Sequence, residues 1–325
     1  MKGYSDKPTI AVIIPCYNEE EVLPETAKRL FNKIKVLISD DIISSNSKII
    51  FVDDGSADNT WLIIKNFYSE NPENYAGIKL AKNSGHQNAL LCGLLSVKDT
   101  VDAAISIDAD LQDDINAIDE MITKFHNGCE IVYGIRSSRR KDAFLKKITA
   151  QGFYRFMQFL GVNIIYNHAD FRLMGKNALD ALSEYSEVNL FLRGIVPLLG
   201  FKTGLVYYDR EERFAGVSKY PLRKMINFAF EGITSFSIKP VRLITMLGIF
   251  LFIVSISMII YFFARHISGH TIIGWASIAC SLWGIGGLIL FSIGIIGEYI
   301  GKIYLETKHR PRYHIEQFII SWKKS

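Results

Sequence analysis

The chain of 325 residues contains little cysteine, and none of it is arranged as in a metal site or a redox centre. The four cysteines form no CxxC pair: Cys16, Cys92, Cys129 and Cys280. This excludes zinc-ribbon and dithiol redox classes and predicts reduced, mostly buried thiols. The net charge of +4 is too small to favour nucleic acid as a partner. Repeats and low-complexity segments are also absent.

A secretory signal is also missing from the start of this sequence. Residues 1–8 are polar, and the apolar stretch that follows is too short for a signal peptide. We therefore expect the first 240 residues to stay in the cytosol.

Long uncharged runs are present only near the other end. Residues 243–264 and 271–297 carry no charge. As helices they would extend roughly 33 and 40 Å, enough to cross a hydrocarbon core of about 30 Å. Basic residues are denser outside this pair of runs than between them, which predicts two transmembrane helices with both termini in the cytoplasm.

Two further features accompany these runs. Residues 222–233 combine apolar residues at helical spacing with Arg223 and Lys224, which predicts an amphipathic helix lying in the membrane interface. Gly297 and Gly301 form a GxxxG pair, which favours close helix packing and a homo-oligomer.

The first 135 residues alternate between strand-like and helix-like segments. The predicted strands are 9–14, 48–52, 77–80, 103–107 and 130–133, and the predicted helices are 19–37, 60–69, 87–95 and 115–127. Residues 140–200 are predicted mostly helical, with a short strand at 206–209. The alternation indicates an α/β fold with a mostly parallel sheet covered by helices.

The most informative segment follows the fourth predicted strand. The apolar run 103–107 ends in Asp108, Asp110, Gln112 and Asp113. Acidic residues at the end of such a strand lie where open α/β sheets bind ligands. Asp108 and Asp110 are spaced so that one turn aims both at a hard cation, which usually also holds substrate phosphates.

Polar loops also follow the other early strands. They read PCYNEE from Pro15, DDGSAD from Asp53 and KNSGHQ from Lys82. Four such loops along one sheet edge predict a binding site. These loops carry carboxylates and no pattern of residues typical of nucleic-acid recognition, which favours a nucleotide sugar as the ligand. One carboxylate would bind the nucleoside, and others would bind a metal ion on the diphosphate.

In combination, the motifs resemble those of family 2 inverting glycosyltransferases of the GT-A (Rossmann-like) fold. The resemblance is narrower to bacterial membrane enzymes that load a sugar onto polyprenyl phosphate, relatives of dolichol-phosphate mannose synthase. It rests on PCYNEE, VDDGSADNT, KNSGHQNA, DADLQD, YGIRSSR, DFRLM, RFAGVSKY and GEYIGKIYLETKHRP. Relatives often carry Glu at the position of Val217 in this chain.

The resemblance implies a role for each matching residue. The nucleotide sugar would contact Pro15, Tyr17, Glu19, Asp53, Asp54, Lys82, Gly85, Asp108, Arg213, Ser218 and Lys219. Mg²⁺ or Mn²⁺ would bind Asp108, Asp110 and Gln112, and the acceptor phosphate would bind Arg136 and Arg139. Asp170, Asp108 and Arg136 would be catalytic.

The role of Asp170 stays open at this point. A phosphate monoester at neutral pH is largely a dianion, because its second pKa is about 6. Such a nucleophile needs placement and charge neutralisation more than a base, and a forked Arg supplies both. Asp170 therefore either takes a proton or orients an Arg or the acceptor.

The predicted organisation is a cytoplasmic GT-A domain (1–220), an interfacial helix (221–239), a transmembrane hairpin (240–297) and a basic tail (298–325). The predicted reaction moves glucose from a UDP-sugar to polyprenyl (undecaprenyl) phosphate at the bacterial cytoplasmic membrane. GlcNAc, galactose, aminoarabinose and mannose are alternative sugars. A flippase and a downstream glycosyltransferase are possible partners.

Two other functions compete with this prediction. A processive polysaccharide synthase would carry a QxxRW motif and more spans, and residues 151–156 have the wrong spacing for that motif. A non-catalytic sensor or scaffold would tolerate loss of the metal-binding aspartates, all of which are present.

Overall fold

A computed structural model of the chain describes residues 7–136, 168–187, 192–209 and 275–321, with separate positions between 241 and 261. The chain divides into two compact units. The first consists of Met1–Tyr154, Ile164–Tyr220 and Arg310–Ser325, and the second of Arg155–Asn163 and Pro221–His309.

The first unit is built on one mixed β-sheet. Its strands are β1 (Ile10–Cys16), β2 (Lys48–Asp53), β3 (Tyr75–Leu80), β4 (Ala103–Ser106), β5 (Ile131–Arg136), β6 (His168–Gly175), β7 (Thr203–Tyr208) and β8 (Ile315–Ile319). Their order is β7-β5-β6-β4-β1-β2-β3-β8. Strands β4, β1, β2 and β3 run parallel, as do β5 and β7. The predicted α/β fold with a mostly parallel sheet is confirmed.

Helices cover the sheet and bury one side of their surface against it. They are α1 (Leu23–Ser39), α2 (Thr60–Glu70), α3 (His86–Val97), α4 (Ala117–His126), α5 (Lys176–Ser183) and α6 (Leu192–Leu198). In α1 the buried side chains Leu23, Leu30, Ile34 and Leu37 recur at helical spacing. Each such side chain contributes roughly 1.5–3 kcal/mol on burial, so this stripe fixes how the helix lies on the sheet.

Strand β6 lies within residues 140–200, which were predicted to be mostly helical; the other elements described there, α5 and α6, are helices. Strand β6 runs antiparallel between β4 and β5, with Arg172 paired to Ser106 on one side and to Tyr133 on the other. Phe171 and Leu173 enter the apolar core, and Asp170 and Arg172 are buried as an ion pair. Because the two charges neutralise each other, a strand with polar residues can occupy the interior of the sheet.

Strand β8 is a second element that the sequence did not predict. It lies antiparallel to β3 at the sheet edge. The Trp61 indole N–H donates to Gln317 Oε1 at 3.1 Å, and Lys79 pairs with Glu316 at 2.9 Å. The segment following the apolar runs therefore contributes to the same sheet as the first strands of the chain.

In the second unit the structure describes helix α7, Trp275–Thr307. Within it, Ile285–Thr307 has a mean hydropathy of 1.6 and is the one described helix long and apolar enough to cross a membrane. It overlaps the second predicted span. Half of the first predicted span and all of the predicted interfacial helix fall outside the described residues, so the two-helix hairpin stays a prediction.

Candidate active site

The loops after β1 and β2 are joined to each other at the carboxyl edge of the sheet. The Asn18 backbone N–H donates to Ser56 Oγ at 3.0 Å, and Asn18 Oδ1 accepts from the Ala57 N–H at 2.9 Å. The Glu19 N–H donates to Thr60 Oγ1 at 2.9 Å. These bonds make one fixed surface from the two loops. The Tyr17 ring stands half-exposed beside it, while Pro15 is buried within β1.

Asp53 and Asp54 are adjacent in sequence and differ in environment. Asp54 accepts from the Ser84 N–H at 2.7 Å and the Gly85 N–H at 2.9 Å, so both of its oxygens hold the loop after β3. Asp53 Oδ1 accepts from the Ser56 N–H at 3.0 Å, whereas its buried Oδ2 has no hydrogen-bond partner among the described residues. Burial raises the pKa of both carboxyls. Asp53 is therefore the better placed of the two to bind a ligand.

Gly55 brings the loop after β2 into direct contact with the loop after β3. Its φ of +67° lies in the left-handed region, and a Cβ there would lie 2.6 Å from the Lys82 carbonyl carbon. Glycine is needed here because residues with a side chain rarely adopt this conformation and because a Cβ would collide with the backbone of Lys82. The close approach positions the segment from Lys82 to Gly85, where the side chain of Lys82 is exposed.

The acidic cluster after β4 is the centre of the site. Asp108 Oδ1 is buried without a hydrogen-bond partner among the described residues, and it lies 3.6 Å from His86 Nε2. Desolvation raises the pKa of Asp108 to about 6; His86 opposes this, and the nearby carboxylates Asp170, Asp113 and Asp110 add to it. An added positive charge next to Asp108 would therefore stabilise its ionised form.

Asp110 and Gln112 lie in the turn that follows. The Gln112 N–H donates to Asp110 Oδ1 at 3.2 Å, and Leu111 between them has a φ of +56°. No three His, Cys, Asp or Glu side chains gather as a metal-binding group in the described part of the chain. The carboxylates of Asp108 and Asp110 are nevertheless enough for Mg²⁺ or Mn²⁺, because such ions commonly take only one or two carboxylates and complete their shell with substrate phosphates and water. The donor set fits that kind of ion.

Arg136, at the end of β5, faces this cluster. Its Nε and Nη2 donate to Asp113 Oδ1 at 3.0 and 2.8 Å, and Nη2 lies 3.9 Å from Asp108 Oδ2. The Tyr208 hydroxyl donates to the same Asp113 oxygen at 2.6 Å. Burial, followed by the Asp113 charge, raises the pKa of Tyr208, so the hydroxyl stays a donor. The guanidinium is held in one orientation next to Asp108.

Asp170 is enclosed by cations. Oδ1 accepts from Arg172 Nη2 at 2.7 Å and Arg193 Nε at 3.1 Å. Oδ2 accepts from Arg193 Nη2 at 3.0 Å and lies 3.6 Å from His86 Nε2. Burial raises the pKa of Asp170, but His86, Arg193 and Arg172 outweigh it and hold that pKa well below its usual range. This geometry favours an orienting role over that of a base.

The structure places most of the predicted site residues at one edge of the sheet. Asp108 and Asp170 both lie 3.6 Å from His86, Arg136 lies 3.9 Å from Asp108, and the loops of Asp53 and Lys82 are joined. Four predicted residues lie outside the described part of the chain: Arg139, Arg213, Ser218 and Lys219.

Sequence reasoning assigned no site role to four residues that hold the site together: Asp113, Arg172, Arg193 and Tyr208. Asp113 and Arg172 stand within motifs that were recognised, DADLQD and DFRLM, so a signal was available for them. Arg193 lies in an apolar run and Tyr208 lies at the end of a short strand before a charged run, and neither context gives such a signal.

Two family models match this chain. Glycosyl transferase family 2 matches residues 11–183, and the GtrB C-terminal hairpin matches residues 239–303. The first covers β1 to α5 and includes Asp53, Asp108, Arg136 and Asp170. The second covers both predicted spans.

Relatives match over nearly the whole chain. Glycosyltransferase YkoT of Bacillus subtilis is 54% identical, over 95% of this chain and 92% of that protein. A bactoprenol glucosyl transferase of Shigella phage SfX is 39% identical, over 94% and 98%. A prophage bactoprenol glucosyl transferase homolog of Escherichia coli is 38% identical, over 95% and 98%. The chain belongs to glycosyl transferase family 2 and is an enzyme that transfers glycosyl groups.

Proposed function

We propose that the protein transfers glucose from UDP-glucose to polyprenyl phosphate. The observation that carries the proposal is the Asp170 carboxylate, which accepts hydrogen bonds from two guanidinium groups. A carboxylate held in this way is a poor proton acceptor, so the site suits a nucleophile that needs no base. A phosphate monoester is such a nucleophile at neutral pH. Relatives named bactoprenol glucosyl transferases support glucose and a polyprenyl acceptor.

In the proposed reaction, a phosphate oxygen of the acceptor attacks C1 of glucose from the face opposite the diphosphate. The bond from C1 to the diphosphate oxygen breaks, UDP leaves with the bonding electrons, and the anomeric configuration inverts. Arg136 would hold the acceptor phosphate and neutralise part of its charge. Asp53 would bind the nucleoside, and its Oδ2, which has no hydrogen-bond partner among the described residues, supports this role.

The leaving UDP also requires positive charge. We propose that Asp108 and Asp110 hold a divalent cation, Mg²⁺ or Mn²⁺, with Gln112 beside them. When bound, that ion supplies charge to the diphosphate as the C1–O bond breaks. The unpartnered Oδ1 of Asp108 and the short Asp110 turn support this assignment. Arg139 would join Arg136 at the acceptor, and Arg213, Ser218 and Lys219 would close on the diphosphate.

The acceptor implies a membrane. We propose that α7 spans the bacterial cytoplasmic membrane as part of a two-helix hairpin, with the catalytic unit in the cytoplasm. The uncharged composition of Ile285–Gly297 and the match to the hairpin family support this. A homo-oligomer, a flippase for the product and a downstream glycosyltransferase belong to the same proposal.

The test is sugar transfer by the purified full chain in detergent. Undecaprenyl phosphate and Mg²⁺ or Mn²⁺ are offered with radiolabelled UDP- and GDP-sugars, including GlcNAc, galactose, aminoarabinose and mannose donors. We expect label in the lipid phase from UDP-glucose, its loss in Asp110→Ala, and its retention in Asp99→Ala, a matched change of an exposed carboxylate. Label from another sugar alone would overturn the choice of glucose. Metal-dependent UDP binding without lipid label from any donor would favour the sensor alternative.

The orientation of Arg136 gives a further prediction. Arg136→Lys replaces a fork that donates twice to Asp113 with a single ammonium, so it is not a conservative change here. We expect kcat/KM for undecaprenyl phosphate to fall about 10- to 100-fold, the loss of one or two charged hydrogen bonds. UDP affinity, measured by calorimetry, should change little.

The matched control is Arg29→Lys, an exposed arginine paired with Glu25 on α1. An Arg136→Lys enzyme with normal acceptor kinetics, or one that loses UDP affinity instead, would contradict the acceptor role.

A further inference from the structure

Helix α6 brings a second guanidinium onto Asp170 from a distant part of the chain. Arg193 Nε and Nη2 contact Asp170 Oδ1 and Oδ2 at 3.1 and 3.0 Å. This two-point arrangement fixes the plane of the carboxylate as well as its charge. The other partner, Arg172, lies on the same strand as Asp170 and reaches only Oδ1. Arg193 thus hydrogen-bonds both oxygens of the Asp170 carboxylate.

The start of α6 is held by the first turn of α3. The Leu192 N–H donates to Gln87 Oε1 at 2.9 Å. Gln87 directly follows His86, whose Nε2 lies 3.6 Å from both Asp170 Oδ2 and Asp108 Oδ1. Two adjacent residues therefore link α6 to the carboxylates on either side of His86.

The buried guanidinium of Arg172 needs the negative charge of Asp170 beside it. Arg172 is 1% exposed, and its Nε and Nη1 have no hydrogen-bond partner among the described residues. A buried charge with one partner is costly to separate from it. Asp170 is therefore held ionised by Arg172 and oriented by Arg193. In that orientation it attracts His86, which in turn contacts Asp108.

We propose that Arg193 is a positioning residue for glycosyl transfer: through Asp170 and His86 it fixes Asp108 at the reaction centre. The inference rests on the function proposed above. It predicts that removing Arg193 slows the chemical step and leaves donor binding almost intact, because Arg193 acts through Asp170 and is not among the residues proposed to bind the donor.

The experiment is a double-mutant cycle on the full chain in the lipid-transfer assay. Arg193→Met and Asp170→Asn should each lower kcat about 10- to 100-fold, as supporting residues of active-site ligands do. KM for the UDP-sugar should stay within about twofold. The double variant should be no slower than the worse single variant, because both changes break the same link. Arg29→Met is the control and should retain full activity.

Three further readouts separate positioning from a general structural role. Added guanidinium should partly restore Arg193→Ala, and Arg193→Lys should recover part of kcat without the two-point contact. Hydrogen exchange over residues 84–92 should accelerate in Arg193→Met and not in Arg29→Met. If Arg193→Met fails to fold, Arg193→Lys carries the same cycle.

Each result decides the matter. Multiplicative effects of Arg193→Met and Asp170→Asn, or a rise in KM with unchanged kcat, would overturn the inference alone. Unchanged transfer by Arg193→Met would do the same. Absence of transfer by the unmodified enzyme with every donor would overturn the proposed function together with this inference.

Discussion

Replacing Asp108 with asparagine is expected to lower glycosyl transfer by roughly 10²- to 10³-fold, the usual loss when a group that stabilises transition-state charge is removed. Asparagine keeps the size of the side chain and removes its negative charge. Asp108 Oδ1 is buried without a hydrogen-bond partner among the described residues, and His86 and Arg136 lie 3.6 and 3.9 Å from the carboxylate. The variant would lose both the proposed cation ligand and the anion that balances these two groups.

Two measurements check this result. Steady-state transfer gives kcat, and calorimetric titration of UDP with and without Mn²⁺ gives the metal-dependent part of donor affinity. We expect Asp108→Asn to lose the dependence on Mn²⁺ and to keep its unfolding temperature. Asp99→Asn, at an exposed position, should match the unmodified enzyme in both assays. Asp108→Asn with normal kcat would rule out the proposed role of the acidic cluster.

The sequence predicted the location of the site because of the way parallel strands are built. The apolar runs that became β1, β2 and β4 each end in polar residues, and parallel strands bring those ends to one edge. The sequence therefore predicted that Asp53, Asp108 and the loop from Lys82 lie close together, although it gave no distances between them. The individual roles of Asp53 and Asp54 were not predictable, because two adjacent carboxylates differ only in the backbone groups that reach them.

What sequence reasoning missed depends on long-range pairing. Arg193 and Asp170 belong to separate elements, and nothing in the run FLRGIVPLLG indicates that its arginine contacts a carboxylate. Strand β6 does carry a strand-like alternation, with Ala169, Phe171 and Leu173 between His168, Asp170 and Arg172. No local pattern shows that Asp170 and Arg172 are buried, because the ion pairs of Asp170 with Arg172 and Arg193 form only in the folded protein. Strand β8 pairs with β3 across more than two hundred residues of sequence, a contact that no local pattern encodes.

Gly55→Ala is the second change with a large expected effect, although it removes no chemical group. An alanine Cβ would lie 2.6, 2.7 and 2.9 Å from backbone atoms of Lys82 and Asn83, so the loop after β3 must move. Asp54 anchors that same loop through Ser84 and Gly85 and resists the movement. A displacement of about 1 Å in an active site can cost about 10²-fold in rate. We expect kcat/KM for UDP-glucose to fall by about that factor, with weaker UDP binding.

The alanine also adopts the left-handed conformation, which costs about 1–2 kcal/mol by itself. Gly200→Ala separates this backbone cost from the collision, because Gly200 has a φ of +73° and its added Cβ would meet nothing within 4 Å. Both variants should lose stability in thermal unfolding, Gly55→Ala the more because of the collision, and only Gly55→Ala should lose donor affinity in calorimetry. Equal losses of activity in the two would mean that the left-handed conformation alone matters. Normal UDP binding by a folded Gly55→Ala enzyme would show that the loop from Lys82 to Gly85 does not hold the donor.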